Sequence, residues 1–165
     1  YERCVFLRDH AMDKEKRYWY DELGFNYRIT NLQAALGCAQ MSRIHELIDK
    51  RKQIFNTYAE CLFGESKISL NRTYDWAENA YWQIAVEIEG YDAARRDKLM
   101  VRLKEEDVDC RPYFYPMSDM PMYEKVNTPI THEVYKKGIC LPTYFNLGND
   151  QVKTICTKLL NALNG

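Results

Sequence analysis

An amide set beside a guanidinium is the first chemistry this sequence offers. In Gly24-Phe25-Asn26-Tyr27-Arg28-Ile29-Thr30-Asn31, Asn26 and Arg28 alternate with Phe25 and Tyr27. An extended backbone would therefore send both polar side chains the same way. The pair suits a phosphate or another anion: the amide donates without adding a charge to desolvate, and the guanidinium supplies a forked cation. The plainer alternatives are that Asn26 closes a turn, Arg28 makes a surface ion pair and Tyr27 packs.

A second cluster, Arg111-Pro112-Tyr113-Phe114-Tyr115-Pro116, sets a cation among aromatic rings. Arginine fits a diphosphate and an aromatic face fits a sugar ring or a base, while the prolines stiffen the segment. Its alternative is an irregular edge strand with surface tyrosines. The remaining reactive side chains form no constellation. Cys4, Cys38, Cys61, Cys110, Cys140 and Cys156 are widely spread, with no C-x-x-C pair. They point neither to zinc nor to a secreted disulfide scaffold, and read as buried free thiols in a reducing cytoplasm. His10, His45 and His132 are scattered, His10 and His45 reading as structural, so no metal site and no Cys-His nucleophile pair is expected.

The elements that must position these residues follow from periodicity and caps. Gly24 can open a turn, Thr30 or Asn31 can cap a helix, and Gln33 completes a capping box with Thr30. Leu32, Ala35, Leu36 and Ala39, then Ile44, Leu47, Ile48, Ile54, Phe55, Tyr58 and Leu62, recur at helical spacing. A helix over 30–62 is long for a globular domain; Gly37 and Ser42 are candidate bends and Gly64 a stop. The charged stretch at 13–17 reads as a solvated loop or short exposed helix. Downstream, 80–88 and 108–115 read as strands, the second limited by its prolines to edge pairing. Helices are expected at 92–105, opened by Asp92, at 131–137 and at 148–163, with a strand at 139–141. This order predicts an α+β layer, a small sheet with helices on one face.

Composition bounds the partners. With 165 residues, 46% hydrophobic content and a formal net charge of -1, the chain reads as a soluble globular protein with no basic field for nucleic acid. No apolar run is long enough for a bilayer, and Tyr-Glu-Arg-Cys opens neither a signal nor a transit peptide. The missing initiator Met suggests a processed, trimmed or cut chain.

Three blocks in order carry a family resemblance. They are Arg8-Asp9-His10-Ala11-Met12 with Tyr18-Trp19 and 24–35; Arg111 to Pro116 with Met120-Pro121-Met122-Tyr123; and Gly138-Ile139-Cys140-Leu141-Pro142-Thr143-Tyr144. Together they resemble the DegT/DnrJ-type sugar-nucleotide aminotransferases. The likeness is greatest to those that aminate carbon 4 of a nucleotide-linked 4-keto-6-deoxy sugar, as perosamine synthases do. Ala11 departs from the family's usual Gly. The resemblance implies the C-terminal small domain of a fold-type I, pyridoxal-phosphate (PLP) aminotransferase: 1–42 as the end of the large domain and 43–165 as the small one. The long helical region would bridge them as two helices or one bent helix.

The same resemblance implies a homodimer, with Asn26 reaching the phosphate of the neighbour's cofactor. Arg28, Arg111, Tyr113 and Tyr115 would meet the nucleotide sugar. It implies glutamate as amino donor, a cytoplasmic enzyme and a role in polysaccharide or cell-surface sugar synthesis. The Schiff-base lysine lies upstream in the family, and none of Lys14, Lys16, Lys50 or Lys52 matches its context. No catalytic residue is therefore assigned here, and the chain alone is expected to be inactive and to bind PLP weakly. Two alternatives stand: a non-catalytic assembly or dimerisation module, and part of a same-family sugar dehydratase.

Overall fold

The computed structural model describes residues 1–164 and divides into two units, Tyr1–Ile44 and His45–Gly165. In the first, helix α1 (Glu2–Leu7) leads into a backbone ladder. The Phe25 N–H donates to Leu7 O (3.0 Å), Tyr27 N–H to Arg8 O (2.8 Å) and His10 N–H to Phe25 O (3.0 Å). Gly24 is required here by clearance: a Cβ on it would stand 2.3 Å from Ala11 N and from the His10 carbonyl carbon. His10 and Ala11 sit at φ 62° and 53°, with Ala11 fully buried. The left-handed backbone explains why a glycine suits position 11 and sets the cost of the alanine at about 1 kcal/mol. The 13–17 stretch is an exposed turn, in which the Asp13 carboxylate accepts from the backbone N–H groups of Glu15 and Lys16.

Helix α2 (Asn31–Met41) starts at a reciprocal cap. Gln33 N–H donates to Thr30 Oγ1 (3.3 Å), and Thr30 N–H donates to Gln33 Oε1 (3.0 Å). Ser42 caps its end and hydrogen-bonds Ala39 O (2.8 Å), and helix α3 (Ile44–Cys61) follows. The helical region is thus two helices broken at Ser42, while Gly37 stays inside α2. Leu32, Leu36 and Met41 of α2 are exposed.

The second unit is built on a four-stranded antiparallel sheet. Strands β1 (Ile68–Leu70) and β2 (Ile84–Ile88) are followed by helix α4 (Ala93–Glu105). Strand β3 (Arg111–Pro112), helix α5 (Pro129–Lys137), strand β4 (Gly138–Leu141) and helix α6 (Asn149–Asn164) complete it, in spatial order β1-β2-β4-β3. Strand alternation sends Ile84, Val86, Ile88, Ile139 and Leu141 to one face. They pack against Ile54 and Tyr58 of α3, Leu99 and Leu103 of α4, and Val152 and Leu159 of α6. Each such side chain contributes roughly 1.5–3 kcal/mol on burial. Ala85, Glu87 and Cys140 fall on the other face, where α5 approaches and Lys137 pairs with Glu87 (3.2 Å).

Several elements differ from the sequence reading. The strand expected from residue 80 begins only at Ile84, because Tyr81 holds φ 46° and takes its N–H to Asn79 Oδ1 (2.8 Å). Of 108–115, only Arg111–Pro112 form strand, with one further bond from Tyr113 N–H to Gly138 O, since Pro112 and Pro116 lack the N–H a ladder needs. The short strand β1 and helix α1 carry too little periodicity to have been read. Cys4 and Cys38 are exposed, against the expectation of burial, because α1 and α2 bury no residue in this chain. Tyr27 is also exposed and stacks on Phe25 (5.6 Å between centroids). No helix among the described residues is long and apolar enough to cross a membrane, and no group of three or more His, Cys, Asp or Glu could hold a metal.

Candidate functional site

In the first unit the ladder brings Asn26 opposite Asp9. Asn26 Oδ1 accepts from the Arg28 N–H (3.2 Å), which leaves its Nδ2 donors without a partner among the described residues. Arg28 Nη1 reaches the Asp9 carboxylate at 3.2 Å, so its charge is already compensated in this chain. Both groups are exposed. Chemically, Asn26 fits one phosphate oxygen as a neutral donor, and Arg28 would have to share its fork between Asp9 and any anion.

In the second unit two neighbouring depressions share Gln83 and Cys140; the smaller lies on the outer face of the sheet, and the larger reaches Leu141, Leu147 and Ile155 of the core side and α6. The larger, about 750 Å³, is bordered by Trp82, Asp109, Arg111, Tyr144 and Lys158. The smaller, about 450 Å³, is bordered by Tyr113, Phe114, Ile130, Val134 and Tyr135. Arg111 is exposed, and its guanidinium has no ion-pair or hydrogen-bond partner among the described residues. It is the available cation of the larger depression, whereas Lys158 donates to Glu106 O.

The candidate residues of the Arg111 to Pro116 run are therefore divided. Arg111 serves the larger depression and Tyr113 the smaller. Tyr115 turns away and its ring tilts against Tyr135, at 4.8 Å between centroids. Burial pushes the Tyr113 phenol above its ordinary range, with Glu87 and Cys140 adding to the shift. Burial raises the Cys140 thiol too, and its Sγ–H donates to Gln83 Oε1 (3.2 Å). Both groups are neutral donors at neutral pH.

Two exposed aromatic side chains come together that the sequence does not set side by side. Trp82 sits inside a run that looks like strand, and Phe114 lies between two tyrosines that draw attention first. Their rings stack within 10° of parallel at 6.4 Å between centroids. The distorted Tyr81, whose ring stacks on Phe55 at 3.8 Å, is what turns Trp82 out of the strand register. A break in alternation at 80–83 is the only sequence signal for it.

A protein-family model described as the DegT/DnrJ/EryC1/StrS aminotransferase family matches residues 1–160. GDP-perosamine synthase of Vibrio cholerae is 34% identical over 167 residues, covering 99% of this chain and 45% of that protein. The GDP-perosamine synthase of Escherichia coli is 31% identical, with 96% and 43% covered. Among solved structures, Helicobacter pylori PseC, described as an aminotransferase involved in the biosynthesis of pseudoaminic acid, superposes with a TM-score of 0.85 at 17% identity. It is covered over 46% of its length and this chain over 99%. A putative sugar aminotransferase of Streptococcus pneumoniae, in its PLP-form, gives 0.89 at 19% identity, with 99% and 43% covered. The chain thus spans a little under half the length of these relatives.

Proposed function

Because the chain belongs to the DegT/DnrJ/EryC1/StrS aminotransferase family, whose enzymes are PLP-dependent, we propose that it carries the C-terminal part of a nucleotide-sugar aminotransferase. The complete protein transfers an amino group, with glutamate as donor, to the keto carbon of a nucleotide-linked 4-keto-6-deoxy sugar. The observation that carries this reading is the match to the Vibrio cholerae protein along 99% of the chain. When bound, the cofactor supplies the electron sink that such a transfer needs.

This chain's own contribution is binding and orientation. Asn26 donates to a phosphate oxygen of the cofactor held by the other subunit of a homodimer. Arg111 compensates the charge of the nucleotide sugar and Tyr113 adds aromatic and hydroxyl surface, while Arg28 meets an anion by sharing its fork with Asp9 and Tyr115 acts through its contact with Tyr135. Residues 1–42 complete the large domain and 43–165 form the small one.

The test is an assay of the complete protein with isotopically labelled glutamate and a nucleotide-linked 4-keto-6-deoxy sugar. Mass spectrometry should find the label in an aminated sugar nucleotide. Loss of water without gain of label would replace the reading by that of a sugar dehydratase, and no turnover of any such sugar would overturn it. A second reading, a non-catalytic assembly module, is favoured only by the exposed Leu32, Leu36 and Met41 of α2. A monomer by light scattering at high concentration would remove it.

A further inference from the structure

One wall of the smaller depression is helix α5, which contributes Ile130, Thr131, Val134 and Tyr135 to it. The two ends of that helix are held in different ways. At the C-terminal end Arg96 of α4, itself 1% exposed, donates from Nη1 to Tyr135 O (2.8 Å) and lies over the Tyr135 ring (4.9 Å). Lys137 pairs with Glu87 of β2 (3.2 Å), and the chain then runs directly into β4. At the N-terminal end Thr128 makes no side-chain cap bond, and Ile130 is 80% exposed.

His132 closes this second end onto the 3-10 turn Met117–Asp119. Its Nδ1 lies 2.7 Å from Thr128 O, and its Nε2 lies 3.0 and 3.1 Å from the two Asp119 carboxylate oxygens. The Thr128 hydroxyl, 3.1 Å from Nδ1, is also 3.2 Å from Ser118 Oγ, so both flanks of the 119–128 loop are drawn together.

Both ring nitrogens therefore face oxygen acceptors. An imidazolium donates at both, whereas a neutral ring has one N–H and must turn a lone pair toward a carbonyl or a carboxylate. The Thr128 hydroxyl can donate to a bare Nδ1, but the nearer carbonyl still opposes that lone pair. The contact set is complete only with the proton on.

Asp119 favours the charged ring, and Lys136, one turn further along α5, opposes it. Glu133 is its neighbour on the same helix. Of the elements packed against α5, α4 brings Arg96 and Asp97 and β2 brings Glu87, all engaged at the far end, where Tyr115 also meets Tyr135.

We propose that His132 is a proton-operated latch on the smaller depression. Closed, it fixes the N-terminal half of α5 as a wall; open, it lets that half swing about the Arg96 and Glu87 anchors and changes the width of the depression. Asp119 and Thr128 O raise the imidazole above its ordinary 6.5, so the latch is closed below 6.5 and opens as pH rises through the folded value. The latch is independent of the aminotransferase reading.

Hydrogen exchange of the complete protein tests it, at one pH well below and one well above the His132 midpoint, corrected for the intrinsic pH dependence of exchange. Protection of the amides at 132–134 should fall about five-fold at the higher pH, the scale of one partly exposed charged hydrogen bond, while 136 and 137 stay unchanged. The Ile130 and Val134 methyl resonances should titrate with the His132 ring. His132→Phe should leave the end open at both pH values. Asp119→Asn should keep it closed at both, because its amide can accept from a protonated Nε2 and donate to a bare one. Equal protection at both pH values in the parent would overturn the latch, as would the parent's pH dependence persisting in His132→Phe. Low protection at both values in Asp119→Asn, or a fall spread evenly along α5, would overturn it as well.

Discussion

The ring of Tyr113 lies against the Cα of Gly138, so closely that a methyl group there would stand 2.3 Å from both Cγ and Cδ2. The backbone bond from Tyr113 N–H to Gly138 O fixes the same pair edge to edge. A single glycine thus sets where the 113–116 segment leaves the sheet and where Phe114 emerges. Gly138→Ala should force the ring outward and cost about 1–3 kcal/mol, the usual range for overpacking. Urea denaturation checks the magnitude. The double variant with Tyr113→Ala should recover part of the loss relative to the sum of the singles, and strict additivity would show that the two residues do not interact.

Gly24 presents the opposite situation, since its neighbours are backbone atoms that no rotamer change can clear. Gly24→Ala should open the ladder between 7–10 and 25–27, which hydrogen exchange would report as faster exchange at the Tyr27 and His10 amides. Ala11→Gly removes a left-handed alanine at about 1 kcal/mol but also a buried methyl at about 0.8 kcal/mol. Its net effect on stability should fall within about 0.5 kcal/mol of zero. A large change in either direction would mean that one of these two opposing effects is misjudged.

Asn26→Ala in the complete protein should weaken cofactor retention about five-fold, the equivalent of one neutral hydrogen bond near 1 kcal/mol. Equilibrium dialysis of PLP measures it. Mixing with subunits that keep Asn26 but are otherwise marked should restore retention only in the partner's site. Unchanged retention in Asn26→Ala would remove the residue from the cofactor contact.

The 165-residue chain by itself should take up PLP weakly and show no visible band that survives dialysis. Asn26 supplies one bond of about 1 kcal/mol, whereas micromolar affinity needs about 8 kcal/mol. A dialysis-resistant band abolished by one lysine substitution would contradict this.

His132 ties the 3-10 turn at Met117–Asp119 to the start of α5. Its Nε2 lies 3.0 Å from Asp119 Oδ1, and its Nδ1 lies 2.7 Å from Thr128 O. The Asp119 carboxylate, and then the Thr128 carbonyl, raise the imidazole above its ordinary 6.5. A raised folded-state value means the tie is fully present below 6.5 and is lost as pH rises through the folded value. An NMR titration should find His132 protonating above 6.5, and Asp119→Asn should bring it back toward 6.5. A titration unmoved by Asp119→Asn would assign the shift to another group.

Local rules made much of this legible beforehand. The Thr30–Gln33 box and the Asp92 cap depend on neighbours three residues away, and both are where the spacing places them. The Ser42 break and the edge character around Pro112 follow from single residues in the same way. What could not be read depends on separate segments meeting. The clearance at Gly24 and Gly138, the exposure of Cys38 and the parallel setting of Trp82 and Phe114 all require the ladder or the sheet to exist first. Of the candidate residues, Asn26 and Arg28 come together on one segment, whereas Arg111, Tyr113 and Tyr115 diverge, because the strand ends at Pro112 and the last bond to β4 is from Tyr113 N–H to Gly138 O.

Cys140 has a practical meaning that its weak acidity conceals. Burial keeps it a thiol, so freely diffusing alkylating reagents should consume the exposed Cys4 and Cys38 first. A mild electrophile carried by any ligand that occupies either depression would instead meet Cys140 at high local concentration. The sulfur at the boundary of the two depressions is therefore an address for affinity labelling, able to turn transient occupancy into a permanent mark on one peptide.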